Sequence, residues 1–197
     1  MASSIIRLQP STAPEQRQNA EEDRARLIGL LQQAGEGDRA AFRAVYELSS
    51  RFVFGLIVAM LHGREVAEEV TQEAYVTIWQ RARSYDPAKG NPLAWIATIA
   101  RNKAIDRLRA ERARGFVSYH GDLPEIALEI DTETASVDAI TVARLLADLK
   151  PEYREALLLS YFRGYTHAEL SEALGVPLGT AKSWVRRGLA AMKQALE

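Results

Sequence analysis

Six polar and aromatic side chains near the C-terminus combine the chemical groups that duplex DNA recognition needs. Hydroxyl and guanidinium groups hydrogen-bond to base edges in the major groove, and cations bind the phosphates. From residue 182 to residue 193 the stretch contains no acidic residue. These residue types indicate a nucleic-acid interface. Its candidate members are Thr180, Lys182, Ser183, Trp184, Arg186 and Arg187.

Two helices with a tight turn between them would position these side chains. Thr166 followed by Glu169 predicts a capping box at the start of the first helix. Gly175 and Pro177 predict its end, and the second helix begins near Gly179. A helical hairpin with a merely solvated basic face stays open as the alternative. We expect the core face of the second helix to be Leu178, Ala181, Val185, Leu189 and Met192.

A second group of DNA-compatible residues lies on a helix predicted from Pro92 to Arg112. Asn91 is in position to cap that helix, with Pro92 as its first residue. One face combines an aromatic ring, an amide, an acid and cations, which suits an unstacked base and its phosphates. The alternative is a basic helix end with its tryptophan in the core. The face carries Trp95, Asn102, Asp106 and Arg109, with Arg101 and Arg112 at one margin.

An acidic helix predicted from about Arg64 to Ser84 carries Val76 and Trp79 on its outward face. An aromatic anchor among acids suits a partner with a basic surface. The alternative is a solvated acidic face with Trp79 packed on a neighbouring helix. The acids and amide of this face are Glu65, Glu68, Glu69 and Gln72.

Composition excludes several classes of function. The 197 residues include no cysteine, so disulfides, thiolate metal sites and cysteine nucleophiles are absent. His62, His120 and His167 are too far apart to form a metal site on one helix. The sequence has no phosphate-binding loop, signal peptide or membrane-spanning apolar run. We therefore expect a soluble cytoplasmic protein that is not an enzyme and needs no cofactor or metal.

Charge and apolar periodicity predict an all-α chain with two small helical domains. We expect a disordered tail over 1–20, a first domain over 21–114, a linker over 115–136 and a second domain over 137–197. The net charge is −1, but the linker is acidic and lacks Lys and Arg, whereas residues 101–114 are strongly basic. The first domain's long helix, which Asp38 would cap, has core candidates at Phe42, Val45, Tyr46, Phe52, Leu56 and Met60.

Three blocks in this order resemble the extracytoplasmic-function sigma factors of the sigma-70 family. EEVTQEAYVTIWQRARSYDP resembles the family's polymerase-binding helix, and NPLAWIATIARNKAIDRLRAERAR resembles its promoter-melting helix. LGVPLGTAKSWVRRGLAAMK resembles its upstream-promoter reader. The resemblance covers residues 38–195. It implies a promoter-specificity subunit of bacterial RNA polymerase, with an N-terminal domain like sigma region 2 and a C-terminal domain like sigma region 4.

The resemblance also implies roles for single residues. Glu69, Gln72 and Glu73, with Trp79, would dock on the clamp helices of the polymerase largest subunit. Asn102 would capture a flipped base of the minus-ten element. The other expected minus-ten contacts are Lys89, Asn91, Trp95, Arg101, Asp106 and Arg109. The expected minus-thirty-five contacts are Thr180, Lys182, Ser183, Trp184, Arg186 and Arg187.

Further partners follow from the same resemblance. Leu157 and Leu158 would face the flap of the second-largest subunit or pack internally, and the acidic linker would thread the polymerase channel. An anti-sigma factor would hold the two domains inactive. Trp184 stands where many members have a basic or small polar residue, and Glu69 stands where Asp is common. The alternative function is a helix-turn-helix regulator that binds operator DNA without polymerase.

Overall fold

The structure is a computed structural model that describes residues 13–61, 63–114 and 145–196. The predicted linker over 115–136 and the start of the predicted second domain at residue 137 lie outside these residues, as do residues 1–12. Within the described ranges every regular element is a helix, which confirms the all-α prediction. No described helix has the length and apolar character needed to cross a membrane.

Seven α-helices and two 3₁₀ turns have both ends within the described chain, and residues 145–147 are helical as well. The helices are α1 Ala13–Gly35, α2 Arg39–Met60, α3 Arg64–Arg81, α4 Pro92–Ala113, α5 Pro151–Tyr161, α6 His167–Ala173 and α7 Leu178–Leu196. The 3₁₀ turns are Ala82–Ser84 and Pro87–Lys89. We predicted a disordered tail over 1–20, but α1 begins at Ala13. The last part of the predicted tail is therefore helical.

The described residues divide into two compact units. The first comprises the described residues up to Val53 together with Ala74–Ile99. The second comprises Phe54–Glu73 and the described residues from Ala100 onward.

Helix α2 buries fewer of its apolar residues than their helical spacing predicts. Ser49, Val53 and Ile57 are fully buried at four-residue spacing, and this spacing defines its inward face. Tyr46 and Phe52 are 47% and 42% exposed, so the prediction that they belong to the core is wrong. Both residues were assigned to the core because they recur at helical spacing, so this periodicity alone does not decide their burial.

The buried hydroxyl of Ser49 is hydrogen-bonded to a second buried hydroxyl, that of Tyr75. Ser49 donates to the carbonyl of Val45 at 2.6 Å, and its oxygen lies 2.8 Å from the hydroxyl oxygen of Tyr75. Burial raises the pKa of Tyr75 to about 12. A hydrogen-bonded pair avoids the cost of an unsatisfied polar group in the core of the first unit.

Local capping fixes where α4 and α6 begin, as predicted. The side-chain oxygen of Asn91 accepts the backbone N–H of Leu93 at 2.8 Å, with Pro92 as the first helical residue. At α6, Thr166 accepts the backbone N–H of Glu169 at 3.2 Å, and the carboxylate of Glu169 accepts the backbone N–H of Thr166 at 2.6 Å. Both caps satisfy helix donors that have no partner within the helix.

The three C-terminal helices, together with residues 146–149 before them, pack around two small apolar clusters. One contains Leu146, Leu149, Leu157 and Leu158, and the other contains Leu159, Tyr165, Leu170 and Ala181. Of the two alternatives for Leu157 and Leu158, the structure therefore has them packed internally.

The inward face of α7 differs from the prediction. Leu178 and Leu189 are 44% and 53% exposed rather than buried. Gly188 is buried instead, because α7 approaches α5 so closely there that an added Cβ would lie 2.7 Å from Cδ1 of Leu157. A glycine inside a helix costs about 1 kcal/mol relative to alanine, and at Gly188 this close approach offsets that cost.

Candidate functional site

Three of the six candidate minus-thirty-five residues are exposed cations on α7. Lys182, Arg186 and Arg187 are exposed, whereas Thr180, Ser183 and Trp184 are half-buried. Arg187 lies with Nη1 3.5 Å from the hydroxyl of Tyr153 on α5. A helix that follows a tight turn and exposes cations on one side has the geometry of a major-groove reader.

The turn before α7 is fixed by hydrogen bonds within the hairpin. Gly175 has φ +62°, which favours glycine, and it ends α6 as predicted. The hydroxyl of Ser171 donates to the carbonyl of Val176 at 2.6 Å, and the carbonyl of Ser171 accepts the N–H of Val176 at 3.1 Å. Ala181 is fully buried and anchors the first turn of α7.

The loop before α4 holds the first candidates of the minus-ten set. Asp86 caps the 3₁₀ turn by accepting the N–H of Ala88 at 3.0 Å, and its other oxygen lies 3.4 Å from Nζ of Lys89. The hydroxyl of Tyr85 donates to the carbonyl of Gly90 at 3.2 Å. Trp95 is half-buried with its ring centroid 5.4 Å from that of Tyr85. Trp95 thus packs on one side and keeps part of its surface accessible.

Farther along α4, the candidates differ in their surroundings. Asn102 and Asp106 are exposed. Arg101 instead donates from Nε to the carbonyl of Tyr161 at 2.8 Å and from Nη2 to the carbonyl of Ser160 at 2.9 Å. Burial lowers the pKa of Arg101, and the nearby Tyr161 partly opposes that shift.

Two further arginines of α4 contact the same segment of chain. Arg109 donates from Nη2 to the carbonyl of Gly164 at 3.3 Å. Arg112, which was not among the predicted site residues, donates to the carbonyl of Arg163, and its guanidinium lies 4.7 Å from the ring centroid of Tyr165. Helical spacing puts Arg112 almost directly in line with Arg101, eleven positions earlier. Both arginines were accordingly predicted at one margin of the face, although Arg112 was not assigned a contact.

The candidate polymerase-binding residues lie on α3. Glu69, Gln72 and Glu73 are exposed, as predicted for an outward face. Oε2 of Glu69 lies 3.0 Å from Nη1 of Arg107, a residue of α4 outside the predicted site. Nε of Arg107 in turn lies 2.9 Å from Oε1 of Glu111. These hydrogen bonds and ion pairs raise the pKa of Arg107, with Glu111 the main cause.

Trp79 at the end of α3 packs on a neighbouring helix. Its ring centroid lies 4.9 Å from that of Phe42 on α2, in an edge-to-face arrangement. The side chain is half-buried. Part of its surface is therefore packed on the neighbouring helix, as in the alternative given for Trp79, and part is accessible. Val76, three residues earlier, is 56% exposed and faces outward as predicted.

Comparisons with known families identify both halves of the chain. Residues 45–114 match sigma-70 region 2, and residues 140–192 match sigma-70 region 4. The first match contains α3 and α4, and the second contains α5, α6 and most of α7.

Curated relatives match over most of the length of both chains. The ECF RNA polymerase sigma factor SigK of Mycobacterium sp. (strain KMS) is 34% identical over 85% of this chain and 89% of its own. SigK of Mycobacterium ulcerans (strain Agy99) is 35% identical over 87% of this chain and 94% of its own.

Solved sigma-factor structures are also similar to the chain. Rhodobacter sphaeroides SigE, solved in complex with the anti-sigma ChrR, is 27% identical, with a TM-score of 0.43 over 87% of this chain and 98% of its own. The sequence matches favour the sigma reading over the operator-binding regulator. The chain belongs to the ECF sigma factors of the sigma-70 family and is a promoter-specificity subunit of bacterial RNA polymerase.

Proposed function

We propose that the chain reads its promoter with two helices, α7 at the minus-thirty-five element and α4 at the minus-ten element. The observation that carries the proposal is the geometry of the C-terminal hairpin. A capped α6 and a fixed turn deliver α7 with Lys182, Arg186 and Arg187 exposed. That arrangement supports insertion of α7 into the major groove of duplex DNA.

At the minus-thirty-five element, side chains of α7 divide into two roles. The exposed cations neutralise phosphates and set the register of the helix on the duplex. Hydroxyls and the tryptophan ring of the same helix contact base edges. The residues assigned here are Thr180, Lys182, Ser183, Trp184, Arg186 and Arg187.

At the minus-ten element, α4 and the loop before it hold melted single-stranded DNA. The amide of Asn102 reads the edge of a flipped base, and Trp95 offers a ring for stacking. Lys89 and Asn91 form part of the loop around the base. Arg101 and Arg109 contact phosphates, and Asp106 completes the polar surface of the helix. The capture of an unstacked base offsets an unstacking cost of a few kcal/mol.

The polymerase is bound through the outward face of α3. Glu69, Gln72 and Glu73 supply two acids and an amide that complement a basic surface on the clamp helices. Trp79 adds the accessible part of its ring as an apolar anchor. In this proposal the negative charge of Glu69 contributes to polymerase binding.

Family membership supports three further statements about how the chain works. It performs no bond chemistry, it acts in the cytoplasm, and a cognate anti-sigma factor covers its surfaces until it is released. The domains over 21–114 and 137–197 carry the minus-ten and minus-thirty-five functions respectively, and the acidic linker over 115–136 enters the polymerase channel.

Run-off transcription with bacterial core polymerase tests the proposal on a library of promoter fragments from the host. We expect specific transcripts that depend on the chain and are lost with Asn102→Ala or with Arg187→Ala. Arg43→Ala is the control, because Arg43 is an exposed cation of α2 paired at 3.1 Å with Glu47. No transcript, together with tight duplex binding by the chain alone, would instead favour the operator-binding regulator.

A further inference from the structure

The end of α1 packs against the turn that leads into the loop before α4. That loop, residues 86–91, is called the minus-ten loop below, and the turn is the 3₁₀ turn Ala82–Ser84. Gly35, the last residue of α1, lies so close to the turn that an added Cβ would be 2.8 Å from Cα of Arg83 and 2.9 Å from its backbone nitrogen. Because glycine has no Cβ, it permits this approach of two backbones. Ala82 is 1% exposed, so the turn is anchored in the core of the first unit.

Tyr85 connects this turn to the minus-ten loop. Its backbone N–H donates to the carbonyl of Ala82 at 3.1 Å, which fixes its backbone to the turn. Its hydroxyl donates to the carbonyl of Gly90 at 3.2 Å, and its ring centroid lies 5.4 Å from that of Trp95. The residue is only 8% exposed, so it is held from several sides. A single residue thus joins the turn, the far end of the loop and the ring proposed to stack on DNA.

The hydroxyl of Tyr85 holds a part of the loop that the cap at its start does not reach. Asp86 accepts the N–H of Ala88 at 3.0 Å, a hydrogen bond within the first half of the loop. The bond from Tyr85 to Gly90 instead spans five positions and closes the loop. A displaced Tyr85 would therefore displace the end of the loop next to Asn91, where α4 begins.

The contact between α1 and the 3₁₀ turn has space beside it. A cavity there is lined by side chains of both elements and of the residue after the turn, namely Gln32, Glu36, Arg83 and Tyr85. A methyl group at Gly35 would meet backbone atoms, which cannot rotate away as a flexible side chain can. The backbone itself must then shift, and the cavity gives the turn room to do so. We therefore expect a side chain at Gly35 to move the turn and Tyr85 rather than to unfold the unit.

We propose that Gly35 and Tyr85 are positioning residues of the minus-ten site. Neither residue contacts DNA: Gly35 sets where the 3₁₀ turn lies, and Tyr85 carries that position to the minus-ten loop and to Trp95. The inference rests on the proposed minus-ten role of the loop and of α4. A site discriminates between bases only when its groups are held closely in place, so the loss of this support should reduce base selection.

Base selection by the holoenzyme tests the inference. The template is a host promoter fragment that gives a run-off transcript, prepared with each of the four bases at every position of its minus-ten element. The scored quantity is the ratio of the highest to the lowest transcript yield at the position where wild type discriminates most. We expect Gly35→Ala to lower this ratio by about fivefold, the scale of one net hydrogen bond.

Gly29→Ala is the matched control for this measurement. Gly29 also lies inside α1, and an added Cβ there has nothing within 4 Å, so the ratio should stay at the wild-type value. The ratio separates positioning from stability, because a variant that only destabilises the chain lowers the amount of active holoenzyme equally for all four templates. The affinity of both variants for core polymerase, measured by fluorescence anisotropy, should match that of wild type.

A second pair of variants decides the question if Gly35→Ala does not fold. Tyr85→Phe removes only the hydroxyl that holds the carbonyl of Gly90 and retains the ring. Tyr75→Phe removes a buried hydroxyl of the same unit, whose partner is the hydroxyl of Ser49 on α2. We expect Tyr85→Phe to lower the ratio by about fivefold. Tyr75→Phe should leave the ratio unchanged, although its urea midpoint should fall.

The outcomes separate this inference from the proposed function. Equal ratios for Tyr85→Phe and Tyr75→Phe would overturn the inference, and so would equal ratios for folded Gly35→Ala and Gly29→Ala. In both cases the loss of transcript with Asn102→Ala would still support the proposed minus-ten role. If wild type shows no preference between bases at any minus-ten position, then that role itself fails, and the inference fails with it.

Discussion

Nη1 of Arg107 on α4 lies 3.0 Å from Oε2 of Glu69 on α3, so the helix proposed to bind the minus-ten element holds an acid of the helix proposed to bind polymerase. Arg107 also pairs with Glu111, one turn later on its own helix. The side chain of Arg107 is 29% exposed and that of Glu69 is 59% exposed. The guanidinium of Arg107 is thus mostly buried and held by two carboxylates, whereas the carboxylate of Glu69 remains accessible to a partner.

This pairing predicts that Arg107 and Glu69 act together in polymerase binding. Glu69→Gln removes the charge that faces the clamp helices, and Arg107→Met leaves that charge without its positioning partner. We expect each change to weaken binding to core polymerase, with Arg107→Met costing up to about 1 kcal/mol, the scale of an exposed ion pair. In the Glu69→Gln background, Arg107→Met should have no further effect. Fluorescence anisotropy with labelled chain measures the four affinities.

Arg64 offers the matched control for this cycle, because it pairs with Glu68 at 3.0 Å on the same helix α3. The effects of Arg64→Met and Glu69→Gln on the free energy of binding to core polymerase should be additive. If the effects of Arg107→Met and Glu69→Gln on this binding free energy were also additive, the Arg107–Glu69 contact would have no part in polymerase binding.

Features that depend on neighbours within a few residues could be predicted from the sequence. The capping box at Thr166, the Asn91 cap and the stop at Gly175 are all present. Each involves a donor and an acceptor close together in the chain, so local residue types determine them. The helical character of the candidate site residues followed from the same local patterns.

Contacts between distant positions could not be predicted in this way. Arg107 meets Glu69 across 38 positions and Arg101 meets Tyr161 across 60, and helical periodicity does not say which acid or carbonyl a guanidinium reaches. Burial of α2 was misjudged at Tyr46 and Phe52 for a related reason. The rotation of one helix against its neighbours is a tertiary property, and the helical spacing of apolar residues does not reveal it.

Gly188 should be intolerant of a side chain. Gly188→Ala gains up to about 1 kcal/mol of helix propensity but forces a Cβ against the buried Leu157, which costs about 1–3 kcal/mol. We expect a net loss of stability, measured as a lower urea midpoint. Gly55→Ala is the control, because Gly55 is also inside a helix and has nothing within 4 Å of an added Cβ. It should stabilise the chain, and equal effects of the two changes would contradict the packing argument.

Glu169 should stabilise the fold in a pH-dependent way. The backbone N–H of Thr166 donates to its carboxylate and lowers the pKa of Glu169, with smaller effects from the charges of Arg112 and Arg109. A lowered pKa in the folded state adds stability above the unfolded value of about 4.3, and this stability is lost as the pH falls through the folded-state pKa. Thermal unfolding should therefore show Glu169→Gln less stable than wild type at neutral pH. The two midpoints should converge in acid, and a pH-independent difference would exclude the charge as the cause.

Arg187 should contribute to the salt dependence of promoter binding. A guanidinium that neutralises one phosphate releases about 0.9 of a counterion, so Arg187→Gln should reduce the slope of log K against log salt by about that amount. Holoenzyme binding to a promoter fragment, measured over a range of salt concentrations, gives the slope. Arg43→Gln removes the same charge from α2 and should leave the slope unchanged. If both variants lower the slope equally, then net charge rather than a phosphate contact of α7 sets the salt dependence, and the assignment of Arg187 to the minus-thirty-five interface fails.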